Sequence, residues 1–119
     1  MGNNFIRLDD IHGFADLVDA SKLRPVVVFK HSLTCPMSAA AYEQLVEFAG
    51  EVALVEIQTS RELSREIERS TGITHESPQV ILLRNGQVVW TASHWNVNAE
   101  ALAEALRGHS SAKPSETLT

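Results

Sequence analysis

The sequence predicts an α/β domain: a three-layer α/β/α sandwich around a central mixed sheet of four strands, or five if a short segment at Phe5–Leu8 joins it. Three observations carry this expectation. Two short, continuous, β-branched apolar runs, Pro25–Lys30 and Val52–Ile57, flank a helical pattern, as buried parallel strands do. Asn85-Gly86 joins two further strand-like runs, and that dipeptide is the strongest short signal for a hairpin. Segments of helical periodicity precede, separate and follow the strands.

The elements read in order as follows. Asp10 is a capping-type acid, and Ile11, Phe14, Leu17 and Val18 recur at helical spacing, which gives a helix over about 10–21. The strand at Pro25–Lys30 follows, and His31–Cys35 is a loop. Pro36 opens a helix that runs to about Gly50, with Ala40, Ala41, Leu45, Phe48 and Ala49 on one side. After the strand at Val52–Ile57, Thr59-Ser60-Arg61-Glu62 reads as a capping box, a hydroxyl with a glutamate three residues on. Its helix runs to about Thr71, where Gly72 stops it. A loop over Ile73–Ser77 leads to Pro78 and a strand at Gln79–Arg84, with Gln87–Ala92 as its hairpin partner. Asn98 caps a last helix that buries Leu102, Ala103 and Leu106 and ends at Gly108. Residues 1–108 form one domain, and 109–119 a polar, Pro/Ser-rich, flexible tail. The strand–helix–strand over Val26–Ile57 is a right-handed parallel crossover, and the hairpin adds an antiparallel edge. A βαβ half joined through a helix to a ββα half is the thioredoxin arrangement.

Composition narrows the function. A chain of 119 residues suits one core. The longest apolar stretch, Pro25–Phe29, is far short of the roughly 20 residues that cross a bilayer. The opening MGNNFIRLDD lacks the basic-then-apolar order of a signal peptide, so a cytoplasmic location is expected, without a membrane. Net charge is −5 with no clustered basic face, which argues against nucleic acid. One cysteine permits no internal disulfide and no four-cysteine zinc site, and no HxH or HxxxH pair offers a metal site.

That cysteine, Cys35, falls in the loop after the first central strand, at a helix start, where open α/β sheets bind ligands. Proline is favoured at the first helical position, so Pro36 makes Cys35 the N-cap. Its sulfur then faces free backbone N–H groups and the positive end of the helix dipole, a setting that favours thiolate, the nucleophile of disulfide exchange. Ser38 stands where a Cys-x-x-Cys motif has its second cysteine. Its hydroxyl can hydrogen-bond the thiolate but cannot resolve a mixed disulfide. The alternative is an inert buried cysteine. Pro78 opens the hairpin facing the Cys35 helix. A cis Ser77–Pro78 bond would turn the Ser77 backbone toward a bound thiol or peptide; the alternative is an ordinary trans proline at an edge strand. His31, four residues before Cys35, either influences its charge or is a satisfied loop histidine. His75 and Glu76 are candidates to rim the site, and Trp95 either contacts substrate or anchors the last helix. Glu62, Glu66 and Glu68 read as a solvated helix face.

Phe29-Lys30-His31-Ser32, Thr34-Cys35-Pro36-Met37-Ser38, His75-Glu76-Ser77-Pro78-Gln79 and Ser93-His94-Trp95 together resemble the monothiol bacilliredoxin (YtxJ-like) family over about Phe5 to Leu106. Met37 stands where the family pattern carries a branched aliphatic. The resemblance implies a thioredoxin-like oxidoreductase with Cys35 as active thiol, Thr34, Pro36, Ser38 and His31 supporting it, and Pro78 as a cis proline. It implies no bound cofactor, bacillithiol or a similar low-molecular-weight thiol as co-substrate, and S-thiolated cytosolic proteins as partners, with a second thiol or a reductase for release. A monothiol glutaredoxin would resemble Cys-Gly-Phe-Ser here, and Cys-Pro-Met-Ser does not match. The runner-up function is a binding module or thiol sensor without turnover.

Overall fold

In the computed structural model, which describes residues 4–109, alternating side chains of three inner strands supply two hydrophobic cores back to back. Along β2 (Val26–His31), Val26 and Val28 face one side, and Val27 and Phe29 the other. β3 (Val52–Glu56) and β4 (Gln79–Arg84) divide their residues in the same way. This two-sided burial is why these runs are continuously apolar rather than alternating. With β1 (Phe5–Arg7) and β5 (Gln87–Ser93) outside them, the sheet order is β1-β3-β2-β4-β5. β1, β3 and β2 are parallel, while β4 and β5 are antiparallel to their neighbours.

Phe14 of α1 (Ile11–Ala20) and Leu63 and Ile67 of α3 (Arg61–Thr71) cover the first face. Ala41 and Leu45 of α2 (Pro36–Val46) and Leu102 of α4 (Ala99–His109) cover the second. The result is the three-layer thioredoxin-type sandwich with five strands.

Local signals explain most boundaries. Asp10 accepts from the Gly13 N–H at 2.8 Å, and Asn98 from Ala101 N–H at 2.8 Å, so both caps form. Gly72 ends α3 at φ 73°, and Asn85 and Gly86 turn the hairpin at φ 57° and 75°, conformations that suit these residues. A register shift between Leu82 and Leu83 leaves Val89 as the extra residue of a bulge.

Tertiary contacts override the sequence elsewhere. α2 stops at Val46, four residues short of the expected end. Ala40 is exposed, and Phe48 reaches the core from the turn after the helix. The capping box does not form. Thr59 donates its hydroxyl to the Glu56 carbonyl at 3.3 Å, and Ser60, the actual N-cap, makes no side-chain cap bond. α4 continues through Gly108 to His109, so the helix outruns the expected start of the tail at 109; residues 110–119 lie outside the described residues. No helix of the described residues is long and apolar enough to cross a membrane.

Candidate active site

The site lies at the carboxyl end of β2. Cys35 is the N-cap of α2, in extended backbone (φ −100°, ψ 121°), with Pro36 in the first turn. Its sulfur is partly exposed and makes no cap hydrogen bond, so the thiol sits free at the positive end of an 11-residue helix. Thr34, beside it, is exposed, and Met37 is half-buried.

Ser38 behaves differently from expectation. Its side chain is fully buried, and its oxygen accepts the Ser32 N–H at 2.9 Å and meets His31 Nδ1 at 2.8 Å. The hydroxyl therefore serves the strand end and not the Cys35 sulfur. Geometry is the reason. One helical step carries Ser38 beneath the loop, where a buried amide and an imidazole need partners more than an exposed sulfur does. His31 packs between Phe29 and Tyr42, with ring centroids at 5.4 and 5.0 Å. Burial lowers its pKa, against the opposing charge of Glu56. A neutral His31 that takes the Ser38 proton at Nδ1 carries its own proton on Nε2, which satisfies both partners. His31 is thus a satisfied histidine that braces the loop.

Ser38→Ala leaves the Ser32 amide and His31 Nδ1 buried without a partner. Loss of about 2 kcal/mol of stability is expected, with disulfide exchange still measurable. Urea unfolding and an exchange assay on the same sample check both halves. Loss of exchange in the folded variant would return Ser38 to direct contact with the thiol.

Opposite Cys35 stands the loop before β4. The Ser77–Pro78 bond is cis. The Pro78 carbonyl accepts the His94 N–H at 2.9 Å, and His94 Nε2 meets Glu76 at 2.9 Å, so the loop is tied to the 3₁₀ turn His94–Asn96. Neither the N–H nor the C=O of Ser77 is engaged by another described residue. Trp95, in that turn, is 72% exposed and does not anchor α4; Val97 is the buried residue there. The turn itself packs on α2, the helix that Cys35 caps. His75 is half-buried, and burial together with the charge of Lys30 lowers its pKa.

Several contributors were not singled out by sequence. Gln58 clamps the active loop: its Oε1 accepts the Leu33 N–H at 3.0 Å, and its Nε2 donates to Ser32 and Thr34 at 2.9 and 3.3 Å. Its only signal is a polar residue just past the carboxyl end of β3, where site loops cluster. Glu68 is not merely a solvated acid, since its Oε2 accepts the His75 N–H at 3.0 Å and holds the loop that leads to Pro78. Glu66 pairs with Arg69 at 2.6 Å. Lys30 has no exposed surface, although it is a lysine in a central strand. Its Nζ donates to the Ser64 carbonyl at 3.4 Å, and desolvation lowers its pKa to about 8, with Glu68 opposing. Among the described residues, no group of three His, Cys, Asp or Glu side chains is placed to hold a metal ion.

A partly exposed cysteine at a helix N-terminus, facing a cis-proline loop with unused backbone groups, defines a thiol redox protein of the thioredoxin fold. The chain belongs to the monothiol bacilliredoxin family: the family described as monothiol bacilliredoxin BrxC matches residues 6–102. Among solved structures, an oxidoreductase described as having a thioredoxin fold is 37% identical, with a TM-score of 0.79 over 86% of this chain and 93% of that one. Mitochondrial thioredoxin 3 from Saccharomyces cerevisiae is 15% identical, with a TM-score of 0.69 over 87% and 94% of the two chains. Spinach chloroplast thioredoxin f is 21% identical, with a TM-score of 0.65 over 88% and 92%. The two thioredoxins speak to the fold alone.

Proposed function

We propose that the protein is a cytoplasmic, monothiol oxidoreductase that removes a low-molecular-weight thiol of the bacillithiol type from mixed disulfides on proteins. The observation that carries this is the pairing of a free Cys35 sulfur with a serine at the second motif position whose hydroxyl is turned away to His31 and Ser32. Cys35 is the chain's sole cysteine. Its thiolate attacks the small-thiol sulfur, the substrate disulfide breaks, and the target protein leaves as thiolate. The free N–H and C=O of Ser77 are suited to pair with the extended backbone around the target's cysteine, and exposed Trp95 and Leu33 give that segment apolar surface. Thr34, Pro36, Ser38 and His31 hold the nucleophile's loop, and His75 stands behind the cis-proline loop. No bound cofactor takes part. Since nothing in the chain can displace the small thiol from Cys35, a second free thiol or a reductase releases it.

Single-turnover mass spectrometry tests this. A bacillithiol-capped model protein is expected to lose its cap in one stoichiometric round, with the cap's mass appearing on Cys35. Further rounds require added bacillithiol or reductase, with a release rate proportional to free thiol. Tight binding of the capped protein without uncapping would establish the binding-module function instead.

A further inference from the structure

We propose that the cleft between α3 and the loop before Pro78 binds a carboxylate carried by the small thiol, with Arg61 and Arg65 as its charged wall. This rests on the exchange function proposed above and specifies the class of thiol that Cys35 accepts: one bearing an anionic arm.

The cleft has a volume of about 180 Å³ and is lined by Ile57, Arg61, Ser64, Arg65, Glu68 and His75. That space suits a substituent of a few heavy atoms rather than a whole drug-sized ligand. Two connections hold it near the nucleophile. On one side, Gln58 bonds Thr34, the neighbour of Cys35, and the chain enters α3 at Arg61 directly after. On the other, His75 belongs to the loop that ends at the cis proline.

The charge of the cleft is unusual for this molecule. The whole chain carries −5, and Arg7, Lys22 and Arg69 are each paired with an acid. Arg61 and Arg65 lie four residues apart on one face of α3, and neither has an acidic partner among the described residues. Glu68, the one acid in the lining, is committed: its Oε2 holds the His75 N–H, and its charge is offset by buried Lys30. His75 Nδ1 is buried without a hydrogen-bond partner, which leaves a further polar group for an occupant. Two free guanidinium forks over a small cleft match a carboxylate in geometry and sign.

The reaction needs no added component. The Cys35 thiolate forms a bond to the cap sulfur, the cap–protein S–S bond breaks, and the target departs as thiolate. Net oxidation state is unchanged, and the cap's anionic arm rests in the cleft while its sulfur is on Cys35.

The test uses a model protein with one surface cysteine, capped either with mercaptosuccinate, which is anionic, or with 2-mercaptoethanol, which is uncharged. Wild type is expected to prefer the mercaptosuccinate cap. The folded Arg61→Gln/Arg65→Gln variant is expected to lose about fivefold of that rate ratio, the size of two exposed charge contacts. High salt should shrink the wild-type preference in the same direction, and Arg61→Lys/Arg65→Lys should keep part of it. An unchanged ratio with both caps removed would overturn the inference and leave the exchange function standing. Equal slowing on both caps would assign the arginines to the protein target and overturn it as well. If wild type removes neither cap, the exchange function falls and the inference falls with it.

Discussion

Cys35→Ser is expected to reduce thiol–disulfide exchange by about a thousandfold or more, to the rate of the uncatalysed reaction, in a protein that remains folded. The substitution exchanges sulfur for oxygen at a partly exposed N-cap, a position where serine is itself favoured. It adds a capping hydroxyl where the wild-type side chain makes no cap bond, so stability should hold or rise slightly. The chemistry, in contrast, has no substitute: the chain carries no other cysteine, and a serine hydroxyl neither ionises near neutral pH nor forms a disulfide. Stopped-flow exchange with a small disulfide, alongside circular dichroism, separates the two effects. A folded variant that exchanges at the wild-type rate would remove Cys35 from the reaction.

The second large effect concerns stability. Lys30 is enclosed where β2 meets α3, with Glu68 and His75 as the titratable groups around it, and desolvation brings its pKa from 10.5 to about 8. A depression of this size means that keeping the ammonium buried at neutral pH costs about 3 kcal/mol relative to the unfolded chain. The sign follows from proton binding. Between pH 8 and 10.5 the unfolded chain still holds the lysine proton and the folded protein does not, so stability rises with pH across that window. Lys30→Met keeps the length and removes the charge. It is therefore expected to be more stable than wild type at pH 7, and that advantage should shrink by about 2 kcal/mol by pH 10. Urea unfolding of both proteins at the two pH values reads it directly. A constant difference between them would mean that the Lys30 ammonium is not desolvated in the folded state.

Retention of a lysine at that cost has a structural counterpart. Lys30 and Gln79 are register partners at the open end of the sheet, and their side chains fall on the α3 side of β2 and β4. His31, the next residue, projects to the α2 side and meets Ser38. The alternation of one strand thus sends consecutive polar residues into opposite cores beneath the active loop. One supports the cis-proline loop through its charge near Glu68, and the other supports the Cys35 loop through a hydroxyl. The arrangement makes the nucleophile a mobile group on a rigid base.

Much of this was readable from the residues in order. The inner strands, the Asp10 and Asn98 caps, the Gly72 stop, the Asn85-Gly86 turn and Cys35 ahead of Pro36 are each set by interactions within a few residues of chain. Such interactions survive any fold, which is why Cys35 at a helix start could be placed without coordinates. The Thr59 capping box shows where that logic ends: the same hydroxyl had a second acceptor in Glu56 and took it.

What the tertiary structure alone decided is the identity of partners far apart in sequence. Gln58 grips a loop 24–26 residues upstream, and Lys30 donates to a carbonyl 34 residues on. Neither has a local pattern, because each contact exists only once β2, β3 and α3 are packed together. The turning of Ser38 away from Cys35 is of the same kind. Spacing alone allowed the hydroxyl to reach the sulfur, but burial decided the matter: a desolvated amide and imidazole lose more by going unpaired than a solvent-facing sulfur does.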